Sequence, residues 1–178
     1  MKQLLSEKVF KLTEELNLPR STVKEILSAF IFYKKAEVLS GKEIDIKGLV
    51  SVVPTPLRYE GRTTIGYTAK ILARDYNVPY NSVFTILNRF IDIQMEQLKL
   101  GKQADFRGIV KIKPIVESNK IVAIHSSVSV SLVTDVGWED GIQSCRVYTS
   151  KLLKQNIIGT TVDSTNNIEM VNDIGGEI

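Results

Sequence analysis

The sequence repeats itself at an interval of 60 residues, and this repeat constrains the fold more than any other feature. Sliding the chain on itself by this interval, without gaps, aligns identical and similar residues across the first two thirds of the chain. Identical pairs include Leu12 and Leu72, Asn17 and Asn77, Pro19 and Pro79, Phe30 and Phe90, Gly41 and Gly101, and Gly48 and Gly108. We therefore expect one supersecondary unit to occur twice.

Each copy begins with the pattern of a helical hairpin. Apolar residues in positions 5–16 recur every three or four residues, which places them on one face of a helix. Pro19 ends this helix, because proline lacks an N–H group and biases the residue before it away from helical geometry. A second helix is predicted with Ser21 as its N-terminal cap. The residues on its buried face are Val23, Ile26, Leu27, Phe30 and Ile31.

Each copy then continues with a β-hairpin. Gly41 is a natural helix terminator, since glycine adopts the left-handed conformation without steric cost. Ile44, Ile46 and the glycine-led apolar run 48–53 predict two strands. The corresponding stretches of the second copy are 67–76, 81–100 and 104–115. A unit of about 50 residues with an apolar helical face must pack that face on something. We therefore predict that the two copies form a single-chain dimer with a pseudo-twofold axis.

Two stretches, 17–30 (NLPRSTVKEILSAF) and 41–49 (GKEIDIKGL), carry a resemblance to a known family. The order of helix, short turn, longer helix, glycine and glycine-turned strand pair resembles the histone-like HU and integration host factor (IHF) family, twice, over residues 1 to about 118. The resemblance implies an α+β fold of two HU/IHF-like repeats packed as an intramolecular pseudo-dimer, with a β-rich C-terminal extension. The expected units are residues 1–60, 61–118 and 119–178.

The chain departs from that family in the segments that would grip DNA. Family members extend long basic β-arms along the minor groove, and a proline at each tip wedges between base pairs. Here residues 58–64 resemble a shortened arm with threonine in place of that proline, and residues 121–133 contain no basic residue except His125. Val50 and Val110 replace the second glycine of the family's turn. The resemblance thus implies a retained scaffold with most of its DNA grip lost.

The charge is divided unevenly along the chain. Residues 1–118 hold 19 Lys and Arg against 13 Asp and Glu, whereas residues 119–178 hold 4 against 7. The basic excess of the first part is far below the dense stripe of a dedicated nucleic-acid-binding protein. A surface of mixed charge explains it equally well.

Several residue counts argue against an enzyme. Cys145 is the only cysteine and His125 the only histidine, which leaves little for a disulfide framework, a zinc site or a histidine relay. The paired carboxylates Glu14–Glu15 and Glu139–Asp140 are more typical of solvated surface than of acid–base catalysis. No glycine-rich phosphate loop is present. We predict no catalytic residues, cofactor, metal or small-molecule substrate.

Residues 16–23 also resemble a helix-turn-helix. A helix that reads DNA bases carries base-contacting donors at its start. The second copy has Tyr80, Asn81 and Ser82 at that place, which argues against base reading. A packed helical hairpin is therefore favoured over base reading. No apolar run approaches the roughly 20 residues that span a bilayer, and the N-terminus becomes charged too early for a signal peptide. Synthesis in the cytoplasm and no membrane contact are expected.

The last third of the chain differs in composition from the repeats. Apolar residues alternate with serines over 127–132, which predicts a strand, and 135–141 has the composition of a loop. Residues 146–154 are compatible with a strand or a short helix. The end of the chain is richer in apolar residues than a disordered tail requires, which suggests docking on a neighbouring subunit by strand addition. The candidate interface residues are Trp138, Ile157, Ile158, Val162, Ile168, Val171 and Ile174.

These features favour a non-enzymatic structural assembly protein. The chain resembles the IHF-like structural proteins of tailed bacteriophages, the crAss-like group among them, which implies a ring or connector component of the virion neck or tail. The expected partners are other virion proteins and copies of itself, in a ring-like homo-oligomer, with at most weak DNA contact. The expected location is the virion, after synthesis in the host cytoplasm.

The alternative hypothesis is an architectural protein that binds duplex DNA without sequence preference. Such a protein would contact phosphates through basic side chains, and its affinity would fall steeply with salt. The candidate contacts are Arg58, Arg62, Lys111, Lys113 and Lys120.

Overall fold

The computed structural model describes residues 2–135 and 141–163, which form a mixed α+β structure, as predicted. The helices are α1 (Lys2–Leu16), α2 (Arg20–Leu39), α3 (Ile65–Tyr76), α4 (Tyr80–Lys99), α5 (Val130–Asp135) and α6 (Lys151–Ile157). The strands are β1 (Lys42–Ile46), β2 (Val50–Thr55), β3 (Tyr59–Thr63), β4 (Ala104–Phe106), β5 (Val110–Glu117), β6 (Lys120–Val128) and β7 (Ser144–Thr149).

The 60-residue spacing of the sequence reappears in the backbone. Asn17 and Asn77 end the first helix of each hairpin with φ angles of 51° and 52°, a left-handed conformation that asparagine tolerates better than most residues. Gly41 and Gly101 follow the second helices with φ angles of 94° and 78°. The prediction that Gly41 ends its helix is therefore confirmed, and its equivalent in the second copy has the same role.

The four long helices interlock around one core. Helix α1 packs on α4, α2 packs on α3, and α2 and α4 contact each other, so each hairpin contacts both helices of the other. The two copies thus pack on each other inside one chain. The fully buried helical side chains shared by both copies include Val23, Ile26, Leu27 and Phe30 in α2, and Val83, Ile86, Leu87 and Phe90 in α4.

Two sheets cover this helical layer. Sheet 1 has the strand order β3–β1–β2–β7, and sheet 2 has the order β4–β5–β6. The hairpins of the two copies pair in the same register, because Ile44 is opposite Val52 and Ala104 is opposite Ile112. All four of these side chains are buried against the helices.

The C-terminal segment completes the sheet of the first copy. Strand β7 pairs antiparallel with β2, as β6 does with β5. The N–H of Ser150 donates to the carbonyl of Leu49 at 2.9 Å, and that of Ser129 donates to Ile109 at 2.8 Å. A short helix follows each serine. We define the first half as α1, α2, β1, β2, β7 and α6, and the second half as α3, α4, β4, β5, β6 and α5.

The residues that anchor the two short helices occupy equivalent places. Leu132 of α5 and Leu153 of α6 are both fully buried. Ser131 approaches Gly108, and Leu152 approaches Gly48, the glycine at the equivalent turn. Residues 144–157 therefore take the same place in the first half that β6 and α5 take in the second.

Two local predictions were wrong, and a third left two alternatives open. Ser21 does not cap α2, because the helix begins at Arg20 and Pro19 precedes it without a side-chain cap. The predicted strand over 127–132 ends at Val128, since Ser129 turns the chain into α5. Residues 146–154 contain both alternatives in succession, the end of β7 and then the start of α6.

The expected shortened arm at residues 58–64 is also absent. This segment contains β3, which pairs in parallel with β1 at the edge of sheet 1, with Glu43 opposite Arg62. Thr64 then caps α3 by accepting a hydrogen bond from the N–H of Tyr67 at 3.2 Å. Residues 58–64 therefore connect the two copies. They lie beside β1 at one edge of sheet 1, and β7 forms the opposite edge beside β2.

Candidate functional site

The outer surface of α2 differs from that of α4, although the two helices occupy equivalent positions. Phe32 is 75% exposed, whereas the residue 60 positions later is the exposed Asp92. Ala29, one turn before Phe32, is likewise replaced by Arg89 on α4. Val130 of α5, which is 76% exposed, lines the same groove as Phe32. Ala29, Phe32 and Val130 are hereafter the Phe32 face.

Charged contacts close the seam between α1 and α4. Arg89 donates to both carboxylate oxygens of Glu15, at 2.6 and 3.1 Å, and to Glu96 at 2.9 Å. Lys11 also contacts Glu96, at 3.2 Å. The hydrogen bonds from Arg89 are the main reason why the pKa values of Glu15 and Glu96 lie below their usual range. This cluster ties the first half to the second.

The equivalent seam between α2 and α3 is open. Asp75 is the counterpart of Glu15, but Ala29 stands where α4 has Arg89, so the bridging arginine has no counterpart here. A groove of about 860 Å³ remains between the two helices. Its lining includes Lys24, Ala29, Phe32, Tyr33, Leu72, Asp75 and Tyr76.

A second groove, the α2–α5 groove, lies on the other side of Phe32 and has a volume of about 540 Å³. Its lining residues are Ser28, Ile31, Phe32, Lys35, Arg107, Gly108, Lys111, Ser129, Val130 and Ser131. Three of these side chains are basic and none is acidic. The groove thus combines an apolar floor and rim with positive charge.

The structure brings two of the five predicted DNA contacts together. Lys111 and Lys113 alternate with buried residues along β5 and so share the outer face of sheet 2. His125 is directly opposite Lys113 on β6, and Asp105 is opposite Lys111 on β4. Burial is the main cause that raises the pKa of Asp105, and the charge of Lys111 opposes it.

The other three predicted DNA contacts lie elsewhere. Arg62, at the edge of sheet 1, has its Nε 3.4 Å from Glu43 and a terminal nitrogen 3.9 Å from Asp45. Arg58 donates its backbone N–H to Gly41, and its side chain packs against that glycine. Lys120 begins β6, at the far end of sheet 2 from the β4–β5 turn. The five residues do not form one strip.

The predicted interface residues divide into three groups. Ile157 and Val162 are buried within this chain, which corrects their assignment as partner contacts, because neither can reach a neighbour in this fold. Ile158 is 44% exposed and remains accessible. Trp138, Ile168, Val171 and Ile174 lie outside the described residues.

Position 34 on α2 is a buried lysine within a hydrogen-bond network. The Lys34 ammonium donates to the Thr63 hydroxyl at 2.9 Å and to the Glu37 carboxylate at 3.2 Å. The Thr63 hydroxyl lies 3.0 Å from both Glu37 oxygens. Burial lowers the pKa of Lys34, and Glu37 opposes that shift. The charge is satisfied locally, as a buried ion requires.

The equivalent position 94 on α4 is a glutamine that receives its lysine from the other half. Lys8 of α1 donates to the Gln94 side-chain oxygen at 2.7 Å. Burial lowers the pKa of Lys8 to about 8, against the opposing charges of Asp105 and Glu7. Lys8 and Lys34 each lie about 6 Å from the centre of a phenylalanine ring, Phe90 and Phe30 respectively. Both lysines serve the core rather than a surface site.

The described residues contain no cluster of three or more side chains suited to hold a metal ion. Burial raises the pKa of the Cys145 thiol. None of the helices in the described ranges is long and apolar enough to cross a membrane. The sequence interpretation missed the Phe32 face, although a comparison of positions 29 and 32 with 89 and 92 would have located it.

Comparison with known proteins gives no relative. No family model matches the chain, and neither a curated protein nor a solved structure is significantly similar to it.

Proposed function

We propose that this chain is a non-enzymatic structural assembly protein built on a tandem HU/IHF-like scaffold. The most specific form of the proposal is a ring or connector component of a bacteriophage neck or tail. The observation that carries the assembly role is the Phe32 face. Equivalent positions on α4 carry charged residues, whereas α2 exposes a phenylalanine between two grooves. Exposed apolar surface rimmed by polar residues is typical of protein-binding sites.

The arrangement of the two halves supports this role. The two long helices expose aromatic residues at different places: α2 exposes Phe32, whereas α4 exposes Tyr80 and Phe84 in its first turns. Because these two outer faces differ, the pseudo-dimer favours head-to-tail contacts, which close into a ring when the rotation between neighbours permits. Residues 59–63 form β3, which pairs with β1, so no free arm is present at residues 58–64.

The assembly role is tested by the oligomeric state of the full chain and its location in purified particles. We expect native mass spectrometry to find oligomers at micromolar concentration, and the protein to be present in purified virions. The substitution Phe32→Asp should reduce both association and incorporation. Phe10→Asp is the matched control, because Phe10 is also exposed but lines neither groove. Only monomers, absent from particles, would contradict the proposal.

One observation favours a second function, the architectural binding of duplex DNA. Lys111, Lys113 and His125 share the outer face of sheet 2. Under this hypothesis the double variant Lys111→Ala with Lys113→Ala loses gel-shift affinity at about 150 mM salt. The matched double variant Arg58→Ala with Arg62→Ala should have a smaller effect, since carboxylates already neutralise Arg62. If no shift occurs at about 50 mM salt, the DNA-binding function is excluded.

A further inference from the structure

The α2–α5 groove combines an exposed apolar rim with positive charge. Phe32 and Val130 form the rim, and Arg107 and Lys111 supply positive charge. A complementary ligand therefore carries apolar side chains interspersed with carboxylates. Burying apolar surface would supply affinity, and charge complementarity would supply orientation.

The equivalent place in the other half is already closed. Lys47 is the counterpart of Arg107, and its ammonium donates to Asn88 of α4 at 3.3 Å. Asn88 is itself the counterpart of Ser28 in the groove lining. Lys151 replaces Val130 at the start of the short helix. The exposed apolar rim therefore occurs in one half only. The proposed ligand needs no second, symmetry-related copy on the same chain.

Residues 164–178 carry side chains that are complementary to this groove. Residues 164–178 contain three carboxylate side chains and no Lys or Arg, whereas the groove lining includes Arg107 and Lys111 and no Asp or Glu. The acidic residues are interspersed with apolar ones. The apolar residues are Ile168, Met170, Val171, Ile174 and Ile178.

The course of the last described residues points away from the groove of the same molecule. Residues 159–162 run antiparallel to the start of β6, and the Val162 N–H donates to Asn119 in the β5–β6 turn at 2.7 Å. The groove lies at the other end of sheet 2, beside Gly108. The eight residues of β5 separate these two ends by about 25 Å.

We infer that residues 164–178 of one copy dock in the α2–α5 groove of a second copy, a head-to-tail contact. This inference rests on the proposed assembly function and names the contact that would link neighbours. The segment can extend by about 50 Å, so it can reach beyond its own molecule without reversing its course. A heterologous contact of this kind continues from copy to copy until it closes into a ring.

Two full-length variants test the contact. The groove variant carries Phe32→Asp with Val130→Asp, and the tail variant carries Ile168→Asp, Val171→Asp and Ile174→Asp. Phe32 and Val130 are highly exposed, so the groove substitutions should leave the fold intact, which circular dichroism verifies. We expect each variant alone to associate at least about tenfold more weakly than the wild-type chain. The control is Phe10→Asp, which should associate as the wild type does.

Mixing the two variants gives the decisive measurement. The tail variant retains an intact groove, and the groove variant retains an intact tail. We expect an equimolar mixture to form a one-to-one heterodimer and nothing larger, as measured by native mass spectrometry or analytical ultracentrifugation. If the copies instead associate through the same surface on each, the mixture should form no heterodimer. That result would overturn the inference.

The remaining outcomes separate this inference from the proposed function. If the wild-type chain forms oligomers and both variants do so equally well, assembly stands and the docking contact is wrong. If the wild-type chain is monomeric and a synthetic peptide of residues 164–178 fails to bind it, the contact between copies is wrong. A monomeric chain whose tail is cross-linked to its own groove would likewise overturn docking between copies. Absence from particles bears only on the proposed function.

Discussion

The second half of the molecule is continuous in sequence, whereas the first half is assembled from both ends of the described chain. Strand β6 and helix α5 follow β5 directly, but β7 and α6 reach β2 only after the whole second half has intervened. The same three-dimensional unit is thus built once from local and once from distant segments. Strands far apart in sequence lose more loop-closure entropy when they pair than neighbouring strands do. The stability of the first half therefore depends more on long-range packing.

The helix seams show a second difference between the two halves. The α1–α4 seam is closed by Arg89, whereas its counterpart beside Ala29 is open and borders an exposed phenylalanine. A true dimer of identical subunits must carry the same residue in both places. Joining the two copies in one chain removes that requirement, so one face can keep the fold while the other acquires a different role.

The largest effect is expected at the leucines that anchor the two short helices. Leu153→Ala and Leu132→Ala each remove a fully buried side chain, so each should lower the free energy of unfolding by about 2–5 kcal/mol. Urea denaturation measures both. Leu152→Ala is the control, because Leu152 is exposed and its loss should cost within about 0.5 kcal/mol. If Leu153→Ala behaves like this control, α6 is not part of the first half.

A smaller effect is expected at the two buried lysines. Lys34→Met leaves the Glu37 carboxylate without its cation, at an expected cost of about 3 kcal/mol. Lys8→Met leaves Gln94, a neutral group, without its donor, at a cost of about 1–2 kcal/mol. Urea denaturation of the two variants orders them. Equal costs would show that the buried carboxylate does not distinguish the two sites.

The dependence of stability on pH should show the burial of Lys8. Its pKa is about 8 in the folded chain against an ordinary value of 10.5, so between these values the unfolded chain binds more protons. Stability therefore rises with pH in this window, by up to about 1.4 kcal/mol per pH unit from one group. The lowered pKa of Lys34 acts in the same direction.

Urea denaturation between pH 8 and about 10 measures this rise. The upper limit matters because the raised pKa of Tyr33 acts in the opposite direction at higher pH. Lys8→Met should flatten the rise, and Lys70→Met, a change at an exposed lysine, should leave it unchanged. A rise that persists in full after Lys8→Met would exclude Lys8 as its source.

The smallest effect is expected from exchanging the residues of the two seams. Arg89→Ala removes contacts that are partly exposed, so it should lower stability by about 1 kcal/mol or less. Ala29→Arg should place a guanidinium near Asp75 and raise stability by a few tenths of a kcal/mol. Thermal unfolding detects the order of the two. Destabilisation by Ala29→Arg would show that the two seams are not equivalent.

Much of the helical layer could be predicted because local rules decide it. The apolar spacing of α2 and α4, the breaks at Pro19 and Pro79 and the terminating glycines depend on residues close in sequence. Their repetition at a fixed interval also predicted that the copies pack on each other. The cap at Ser21 failed because the short Asn17–Pro19 connection already sets where α2 begins.

The C-terminal part could not be predicted in the same way. Apolar and polar residues alternate only weakly over 144–149, and this pattern does not identify a partner strand. These residues nevertheless pair along the full length of β2. Ile157 and Val162 have the composition of a docking segment, but they are buried within the chain itself. Apolar content shows that a segment must be covered, and it does not show by what.

The sequence alone determined the two helical hairpins, their 60-residue spacing and the mixed class of the fold, because helix periodicity and chain breaks act over a few residues. The tertiary structure decided which strand completes the first half, which lysines are buried and which apolar residues of the C-terminal part are covered by the chain itself. Those outcomes depend on contacts between residues far apart along the chain, where packing rather than local preference selects the partner.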